Sequence, residues 1–349
     1  MNPYILSALL MALGLGTTLT FASSHWMLAW IGLEINTLAI VPLMAQYHHP
    51  RAVEAATKYF LTQAAAAAAL LFASTTNAWI SGQWGISELS HPIPLTIAML
   101  ALALKIGLAP VHSWLPEVLQ GLDLTTGLIL STWQKLAPFA LLMQLQTPLT
   151  STSLLAMGIL STLVGGWGGL NQTHLRKVLA YSSIAHLGWM TLVLQFMPSL
   201  TLLTLLTYFV MTSSVFLVFK ANHSTTVNQL TLSWTKAPAL TAAAPLVLLS
   251  LGGLPPLTGF MPKWLIMFEM TKNNLMLLTT IAALSALLSL YFYLRLSYAM
   301  ALTIPPNGLA TSASWRFSSH QLAMPLAVFS TATLGLLPIL PGVAALLSP

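Results

Sequence analysis

The sequence carries the stretch Gly107-Leu-Ala-Pro110-Val-His112-Ser-Trp114-Leu-Pro116-Glu117-Val-Leu119, and it repeats the pattern at Gly253-Leu-Pro-Pro256-Leu-Thr258-Gly-Phe260-Met-Pro262-Lys263-Trp-Leu265. Both stretches place a glycine, two prolines, an aromatic residue and a charged residue in the same register. Proline removes a backbone donor and frees the carbonyl four residues earlier, so each stretch predicts a helix broken near Pro110 or Pro256. In lipid, freed backbone groups are tolerated only where they face protein or a water-filled cavity.

The rest of the chain is apolar enough to place these breaks inside a membrane. Of its 349 residues, 56% are hydrophobic and 5% are charged, whereas about 25% are charged in a soluble domain. Apolar runs of about 20 residues, the length that crosses ~30 Å of hydrocarbon, recur along the sequence. We therefore exclude a soluble enzyme and predict an all-α polytopic membrane protein of about eleven transmembrane helices. The predicted spans are 4–22, 26–46, 56–80, 94–110, 124–146, 151–168, 175–196, 199–220, 240–268, 274–300 and 322–346.

The two broken helices are the fourth and the ninth of these spans. The ninth span follows the fourth by five positions, an odd number, so the two broken helices cross the membrane in opposite directions. This predicts an inverted-topology repeat. We expect one transmembrane domain over 1–349, with a first five-helix repeat at about 1–146, a second at about 151–300 and a C-terminal helix at about 322–346. One proline alone could be a routine kink, and the matched pair argues against that alternative.

Charged loops predict the orientation of the chain. An odd number of spans sorts most basic residues to the side of the N-terminus, which the positive-inside rule assigns to the cytoplasm-equivalent compartment. The C-terminus then lies on the other side. The residues sorted to the N-terminal side are Arg51, Lys58, Arg176, Lys177, Lys220, Lys236, Arg295 and Arg316, and those sorted to the other side are Glu88, Glu269 and Lys272.

Composition also bears on cofactors and partners. The chain has no cysteine, and its nine histidines lack a paired spacing such as H-x-x-x-H, so iron–sulfur clusters and zinc are not expected. Any redox chemistry must then lie in a partner, and we expect no cofactor or metal on this chain. The basic residues are scattered between spans instead of forming a stripe, so we expect a lipid bilayer and no nucleic acid as partner.

Four charged residues lie deep in the predicted spans: Glu34, Lys105, Lys135 and Lys263. Lys135 is predicted near the middle of its helix, roughly 15 Å from either end. A charge at the bilayer centre costs about 2.5 to 3.5 kcal/mol, so these residues should face the bundle and mark a proton path. Burial disfavours a charged lysine and a nearby carboxylate favours it, so a movable Glu34–lysine pair would act as a switch. A static ion pair between Glu34 and Lys105 stays open as an alternative.

Two histidines lie in apolar surroundings. His112 lies at the first break and His186 lies within Tyr181-Ser-Ser-Ile-Ala-His186-Leu-Gly188. Either can relay protons between lysines, with Tyr and Ser hydroxyls ordering water, and either can instead be a structural donor. Glu54 and Lys58, four residues apart at a helix start, are interpreted as interfacial anchors.

Two long motifs carry a resemblance to a known family. Lys105-Ile-Gly-Leu-Ala-Pro-Val-His112-Ser-Trp114-Leu-Pro116-Glu117 and Arg176-Lys177-Val-Leu-Ala-Tyr181-Ser-Ser-Ile-Ala-His186-Leu-Gly188 resemble the antiporter-like, proton-translocating subunits of mitochondrial NADH:ubiquinone oxidoreductase (respiratory complex I) and the Mrp cation/proton antiporters. The N-terminal Met1-Asn-Pro, the depth of Glu34 and the segment Glu54-Ala-Ala-Thr-Lys58-Tyr-Phe-Leu-Thr-Gln63 are also similar to the complex I branch. The resemblance covers essentially the whole chain.

The resemblance implies a function and a location. It implies a core membrane-arm subunit that moves protons across the mitochondrial inner membrane while other subunits pass electrons from NADH to ubiquinone, with the N-terminus in the matrix and the C-terminus on the intermembrane-space side. The other membrane-arm subunits, the bilayer, protons and internal water are the implied partners. The proton-carrying positions of the family match Glu34, Lys105, Lys135 and Lys263, and His112 and His186 also occupy motif positions.

Two other functions stay open at this point. A stand-alone Mrp-like cation/proton antiporter is the main alternative, although a sodium site prefers several oxygen ligands and the chain has one deep carboxylate. A purely structural subunit would leave four deep charges and two matched helix breaks without a reason.

Overall fold

The computed structural model describes residues 2–46, 48–89, 91–147, 150–303 and 323–347. Over these ranges the chain is helical, apart from turns, loops and two isolated bridges. The helices group into two compact units, Met1–Met157 and Gly158–Pro349. The all-helical prediction is confirmed for the described residues.

The first unit consists of long helices near its N-terminus and shorter ones after them. They are α1 (Pro3–Ala22), α2 (Trp26–Met44), α3 (Pro50–Ser81), α4 (Pro92–Ile106), α5 (Trp114–Gly121), α6 (Leu124–Ser131) and α7 (Trp133–Gln144), and α8 (Ser151–Gly168) begins here. Proline at the first helical position starts α1, α3 and α4, where its missing N–H costs nothing. Glycine closes α3, since Gly82 adopts a left-handed conformation.

Small residues let α1 and α2 pack closely. A Cβ at Gly16 or at Gly32 would lie 2.8 Å from the carbonyl oxygen of the other glycine, so the two backbones are nearly in contact. Such pairs are common between membrane helices, where close approach maximises van der Waals contact. This packing holds α2, which carries Glu34 and Asn36, in place.

The second unit begins within α8 and contains the remaining helices. They are α9 (Leu175–Val193), α10 (Pro198–Ala221), α11 (Val227–Thr231), α12 (Ser233–Lys236), α13 (Pro238–Gly252), α14 (Phe260–Lys272), α15 (Met276–Ala301), α16 (Ala323–Gly335) and α17 (Leu340–Leu347). The side chains of α9 are buried along almost its whole length. This helix therefore forms part of the core of its unit.

Each unit contains the same backbone clamp. In the first, Trp26 N–H donates to the Trp84 carbonyl at 3.0 Å and Ile86 N–H donates to the Ser24 carbonyl at 3.0 Å. In the second, the N–H groups of Leu175 and Val227 donate to the carbonyls of Thr225 at 3.0 Å and Thr173 at 3.1 Å. The clamp fixes the start of α2 and of α9, which carry Glu34 and His186.

Both predicted helix breaks are present. Residues 107–113 separate α4 from α5, and residues 253–259 separate α13 from α14. The first half-helix ends at a glycine with positive φ in each case, 89° at Gly107 and 84° at Gly253, which a side chain would disfavour. The prolines lie within the breaks, and the Ala109–Pro110 peptide bond is cis.

Two predicted spans differ from the structure. The span 124–146 is interrupted at Thr132, so Lys135 lies in the first turn of α7 and not at mid-helix. The span 322–346 is divided into α16 and α17, which meet at 88°. Gly335 and Pro338 lie where α16 ends, and they remove a donor and permit this bend. The division of 240–268 between α13 and α14 is the predicted break.

The number of spans is only partly visible from helix length. Within the described residues, five helices are long and apolar enough to cross a membrane, and six if the bent pair α16–α17 is one span. A span that is divided by a break consists of two helices that are each too short to be counted. The count therefore does not decide the prediction of about eleven spans. Arg316, which contributed to the predicted orientation, lies outside the described residues.

Candidate functional site: buried lysines beside helix breaks

Lys105 and Lys135 line the same internal cavity of the first unit. The cavity has a volume of about 20 Å³, which is room for about one water molecule. Lys105 lies in the last turn of α4 and is 6% exposed, while Lys135 is 3% exposed. The other polar residues that line the cavity are Asn36, Thr37, Tyr59, Gln63 and Gln134.

The Lys105 ammonium group is buried and has no hydrogen-bond partner among the described residues. The backbone carbonyls at the end of α4 accept hydrogen bonds from other groups. The Trp114 indole N–H donates to the Leu104 carbonyl at 3.0 Å. The Gln63 amide nitrogen lies 3.5 Å from the Lys105 carbonyl. The capping of α4 therefore does not involve the Lys105 ammonium.

Glu34 is half-buried on α2, and its Oε2 atom is inaccessible and without a hydrogen-bond partner among the described residues. The carboxylate interacts electrostatically with Lys105 and with the Tyr59 hydroxyl. The ion pairs found among the described residues do not include Glu34 with Lys105. The static ion pair that the sequence left open is thus not formed, and Glu34 acts on Lys105 through a longer distance.

His112 lies at the first break but does not line the cavity. Its ring is half-exposed, and Nδ1 lies 3.2 Å from the Pro110 carbonyl oxygen. The structure therefore does not bring His112 together with Lys105 and Lys135, and a relay through His112 stays a prediction.

Lys263 belongs to the second unit and has a different environment. It is 8% exposed, and its ammonium donates to the Gly252 carbonyl at 2.8 Å and lies 3.5 Å from the Leu251 carbonyl. These carbonyls are at the C-terminal end of α13, where the helix has no internal donors for them and carries partial negative charge. Lys263 therefore caps the first half of the broken helix.

His186 is buried on α9 of the second unit, with its ring centroid 5.5 Å from that of Tyr208. The Tyr208 hydroxyl interacts with Ser183, one turn before His186 on the same helix. Tyr293 is also close to Tyr208, and both tyrosines are almost completely buried. The buried histidine of the second unit therefore lies beside a tyrosine that itself interacts with two further hydroxyl groups.

Sequence reasoning missed the carboxamide residues of the cavity: Asn36, Gln63 and Gln134. Each was visible as a polar residue within an apolar helix, which is unusual because a buried amide requires hydrogen-bond partners. The sequence does not indicate which helices meet, so it could not place these three residues around Lys105. Among the described residues, no three His, Asp or Glu side chains converge on a common metal position.

Comparison with known families identifies the chain. The model of the NADH:quinone oxidoreductase/Mrp antiporter transmembrane family matches residues 23–289, and the model of the NADH dehydrogenase subunit 2 C-terminus matches residues 290–344. The chain belongs to the NADH:quinone oxidoreductase/Mrp antiporter family. The resemblance drawn from the motifs around Lys105 and His186 is confirmed.

Family members of known name are similar over their full length. NADH-ubiquinone oxidoreductase chain 2 from Salmo salar is 68% identical over 348 residues, covering 100% of both chains. The protein of the same name from Tetraodon nigroviridis is 68% identical and covers 99% of both chains. The similarity therefore extends over both units.

Solved structures have the same fold. A chain of respiratory complex I from Thermus thermophilus with bound aureothin is 28% identical, with a TM-score of 0.84 over 99% of this chain and 81% of that chain. A chain of the Mrp complex from Dietzia sp. is 17% identical, with a TM-score of 0.83 over 97% of this chain and 76% of its own length. The second likeness concerns the fold alone.

Proposed function

We propose that this chain is a core membrane-arm subunit of respiratory complex I, which translocates protons across the mitochondrial inner membrane while other subunits transfer electrons from NADH to ubiquinone. Its enzymatic role is then that of a subunit of the H⁺-translocating NADH:ubiquinone reductase, with no redox site on this chain. The observation that carries the proposal is the cavity that Lys105 and Lys135 share, beside a broken helix and within the influence of Glu34. Family membership supports it.

The first unit can exchange a proton between its two lysines. Burial opposes the ammonium form, and the Glu34 carboxylate favours it on Lys105, so a displacement of Glu34 would change how readily Lys105 gives up its proton. Lys135 faces the same cavity and can receive it. Each buried cation would be costly to retain in a membrane protein without such a role.

The second unit contributes Lys263 and His186 to the proposed path. Lys263 binds backbone carbonyls at the break, so loss of its proton would weaken the capping of α13. His186 can donate or accept a proton among neighbouring hydroxyl groups. We assign Glu34, Lys105, Lys135, Lys263, His112 and His186 as the residues that carry protons.

We further propose eleven spans arranged as an inverted repeat, counting each divided helix as one span. The matching backbone clamps and the matching glycines at the two breaks support the repeat. The sorting of basic loop residues supports an N-terminus in the matrix and a C-terminus on the intermembrane-space side. Other membrane-arm subunits and the lipid bilayer are the proposed partners.

A stand-alone Mrp-like cation/proton antiporter is the second candidate, and the matching family model, which also describes Mrp antiporters, favours it. A metal cation such as sodium prefers several hard oxygen ligands. The described cavity offers two lysines and neutral groups, which favours protons.

The test replaces Lys135 by methionine in the assembled complex, reconstituted into lipid vesicles. The change keeps the bulk of the side chain and removes a buried charge, so assembly should persist. Proton translocation should fall by at least about 100-fold, as expected when a required acid–base group is lost. Lys272→Met is the control, because Lys272 is exposed and paired with Glu269 at 3.4 Å. Normal translocation in the Lys135 variant would contradict the proposal.

A further inference from the structure

Asn36 has no role in the site described so far, yet its side chain lines the cavity of Lys105 and Lys135. It is 2% exposed, and neither its amide nitrogen nor its carbonyl oxygen has a hydrogen-bond partner among the described residues. The Lys105 ammonium in the same cavity is also without one. Buried polar groups are nearly always satisfied, so unsatisfied groups that share a cavity indicate a common polar ligand.

The Asn36 side chain is confined by the neighbouring helices. A Cβ at Gly16 would overlap its Oδ1 atom, so the carboxamide packs directly against the backbone of α1. The backbone carbonyl of Asn36 accepts a hydrogen bond of 3.3 Å from the side-chain amide of Gln134, the residue before Lys135. Asn36 is therefore held between α1 and the helix that carries Lys135.

We infer that Asn36 is a positioning residue for proton transfer between Lys105 and Lys135, and that its carboxamide holds one water molecule between them. The cavity volume of about 20 Å³ suits one water. A carboxamide both donates and accepts, so it can orient that water toward either lysine. The inference rests on the proposed function, because it requires that these lysines exchange protons.

The transfer balances without any further reactant. The charged lysine gives a proton to the water as its N–H bond breaks and an O–H bond forms. The water gives a different proton to the neutral lysine, so one O–H bond breaks and one N–H bond forms. The water is regenerated and one positive charge has moved. The ionisable groups near the cavity are Glu34, Tyr59 and the two lysines.

The test compares Asn36→Leu with Asn36→Ser in the assembled complex, reconstituted into lipid vesicles. Leucine keeps the branching and the number of heavy atoms of asparagine and removes its polarity, whereas serine loses volume and keeps a group that donates and accepts. Proton translocation should fall at least about tenfold with leucine and stay within about threefold of the unchanged chain with serine. A packing role predicts the opposite order, since leucine fills the space and serine leaves a void.

Asn77→Leu is the matched control. Asn77 is fully buried in the same unit, its Oδ1 also lacks a hydrogen-bond partner among the described residues, and it does not line the cavity. Translocation in this variant should be unchanged. Equal loss with Asn77→Leu and Asn36→Leu would overturn the inference, as would normal translocation with Asn36→Leu.

A second measurement holds even if Asn36→Leu does not assemble. A high-resolution map of the unchanged complex should contain a water within hydrogen-bonding distance of the Asn36 carboxamide and the Lys105 ammonium, and a dry cavity overturns the inference. Lys135→Met, measured alongside, separates the two hypotheses. If Lys135→Met translocates normally, the proposed function fails; if it is inactive while Asn36→Leu is normal, only the role of Asn36 fails.

Discussion

The two helix breaks have the same sequence pattern but satisfy their backbone in different ways. At the first, a neutral indole from Trp114 donates to the Leu104 carbonyl at the end of α4. At the second, the charged Lys263 donates to the Gly252 carbonyl at the end of α13. The aromatic residue in the register of Trp114 is Phe260, whose side chain has no N–H to donate.

This difference separates two uses of a buried lysine. Trp114 donates to the end of α4, and the Lys105 ammonium makes no hydrogen bond among the described residues, so loss of its charge would leave no carbonyl at that helix end without a donor. Lys263 cannot lose its proton without weakening the capping of two carbonyls. The register of Lys263 is occupied in the first stretch by Glu117, which is exposed and pairs with Lys58 at 2.8 Å. The same register thus holds a surface ion pair in one unit and a helix cap in the other.

The substitutions Lys105→Met and Lys263→Met give the sharpest test of this comparison. Both changes should reduce proton translocation by at least about 100-fold, since each removes an ionisable group from the proposed path. Their effects on stability should differ. Lys105→Met leaves no carbonyl without its donor and should change the free energy of unfolding by less than about 1 kcal/mol. Lys263→Met leaves two carbonyls without their donor and should lower the free energy of unfolding by about 2 kcal/mol.

Thermal denaturation of the assembled complex, followed by retention of this chain in the membrane arm, measures the difference. Lys272→Met again serves as the exposed control. If the Lys105 variant were the less stable of the two, the assignment of free and capping lysines would be wrong.

Close backbone contact at the second break should affect stability without removing an ionisable group from the proposed path. A Cβ at Gly259 would overlap the Ser250 carbonyl oxygen, while a Cβ at Gly14 would meet nothing within 4 Å. Gly259→Ala should therefore destabilise the second unit by about 3 kcal/mol, because the two half-helices must separate. Gly14→Ala should assemble normally. Equal yields of the two variants in the complex would show that this close contact is not required.

The sequence predicted the breaks because proline and glycine act locally. Pro110 and Gly107, or Pro256 and Gly253, interrupt hydrogen bonding through their own geometry, whatever surrounds them. The interruption at Thr132 was missed because threonine is compatible with a helix, so it depends on tertiary packing.

The candidate site was predictable only in part. Lys105 and Lys135 are conspicuous because a charge in an apolar run is costly. That they share one cavity with Asn36, and that Lys263 caps a helix end, depends on which helices meet and where a long side chain points. Thr258 at the second break donates to the Thr333 carbonyl at 2.7 Å, although the two residues are far apart in the sequence. A single sequence contains no direct record of such contacts.

Trp114→Phe tests the neutral cap of the first break. The change removes the indole N–H and leaves the Leu104 carbonyl without that donor, so it should cost about 1 kcal/mol. Thermal denaturation of the complex measures this loss. Phe292→Leu is a suitable packing control, because Phe292 is buried in the second unit and has no polar group to lose. If Trp114→Phe also lowered translocation more than about tenfold, the cap would control Lys105 and would not be a purely structural element.

The smallest effect is expected at Glu117, the charged residue in the register of Lys263. Lys58 binds both Glu117 at 2.8 Å and Glu54 at 2.9 Å, and all three side chains are exposed. Exposed ion pairs contribute little because water and salt screen them, and Lys58 retains Glu54 when Glu117 is neutral. Glu117→Gln should therefore leave both the denaturation temperature and the translocation rate unchanged, and raising the salt concentration should not separate the variant from the unchanged chain. Lys58→Met removes both pairs at once and serves as the stronger version of the same test. A large loss of translocation in Glu117→Gln would mean that the charge at this register acts on the first break as Lys263 acts on the second, and the contrast between the two breaks would disappear.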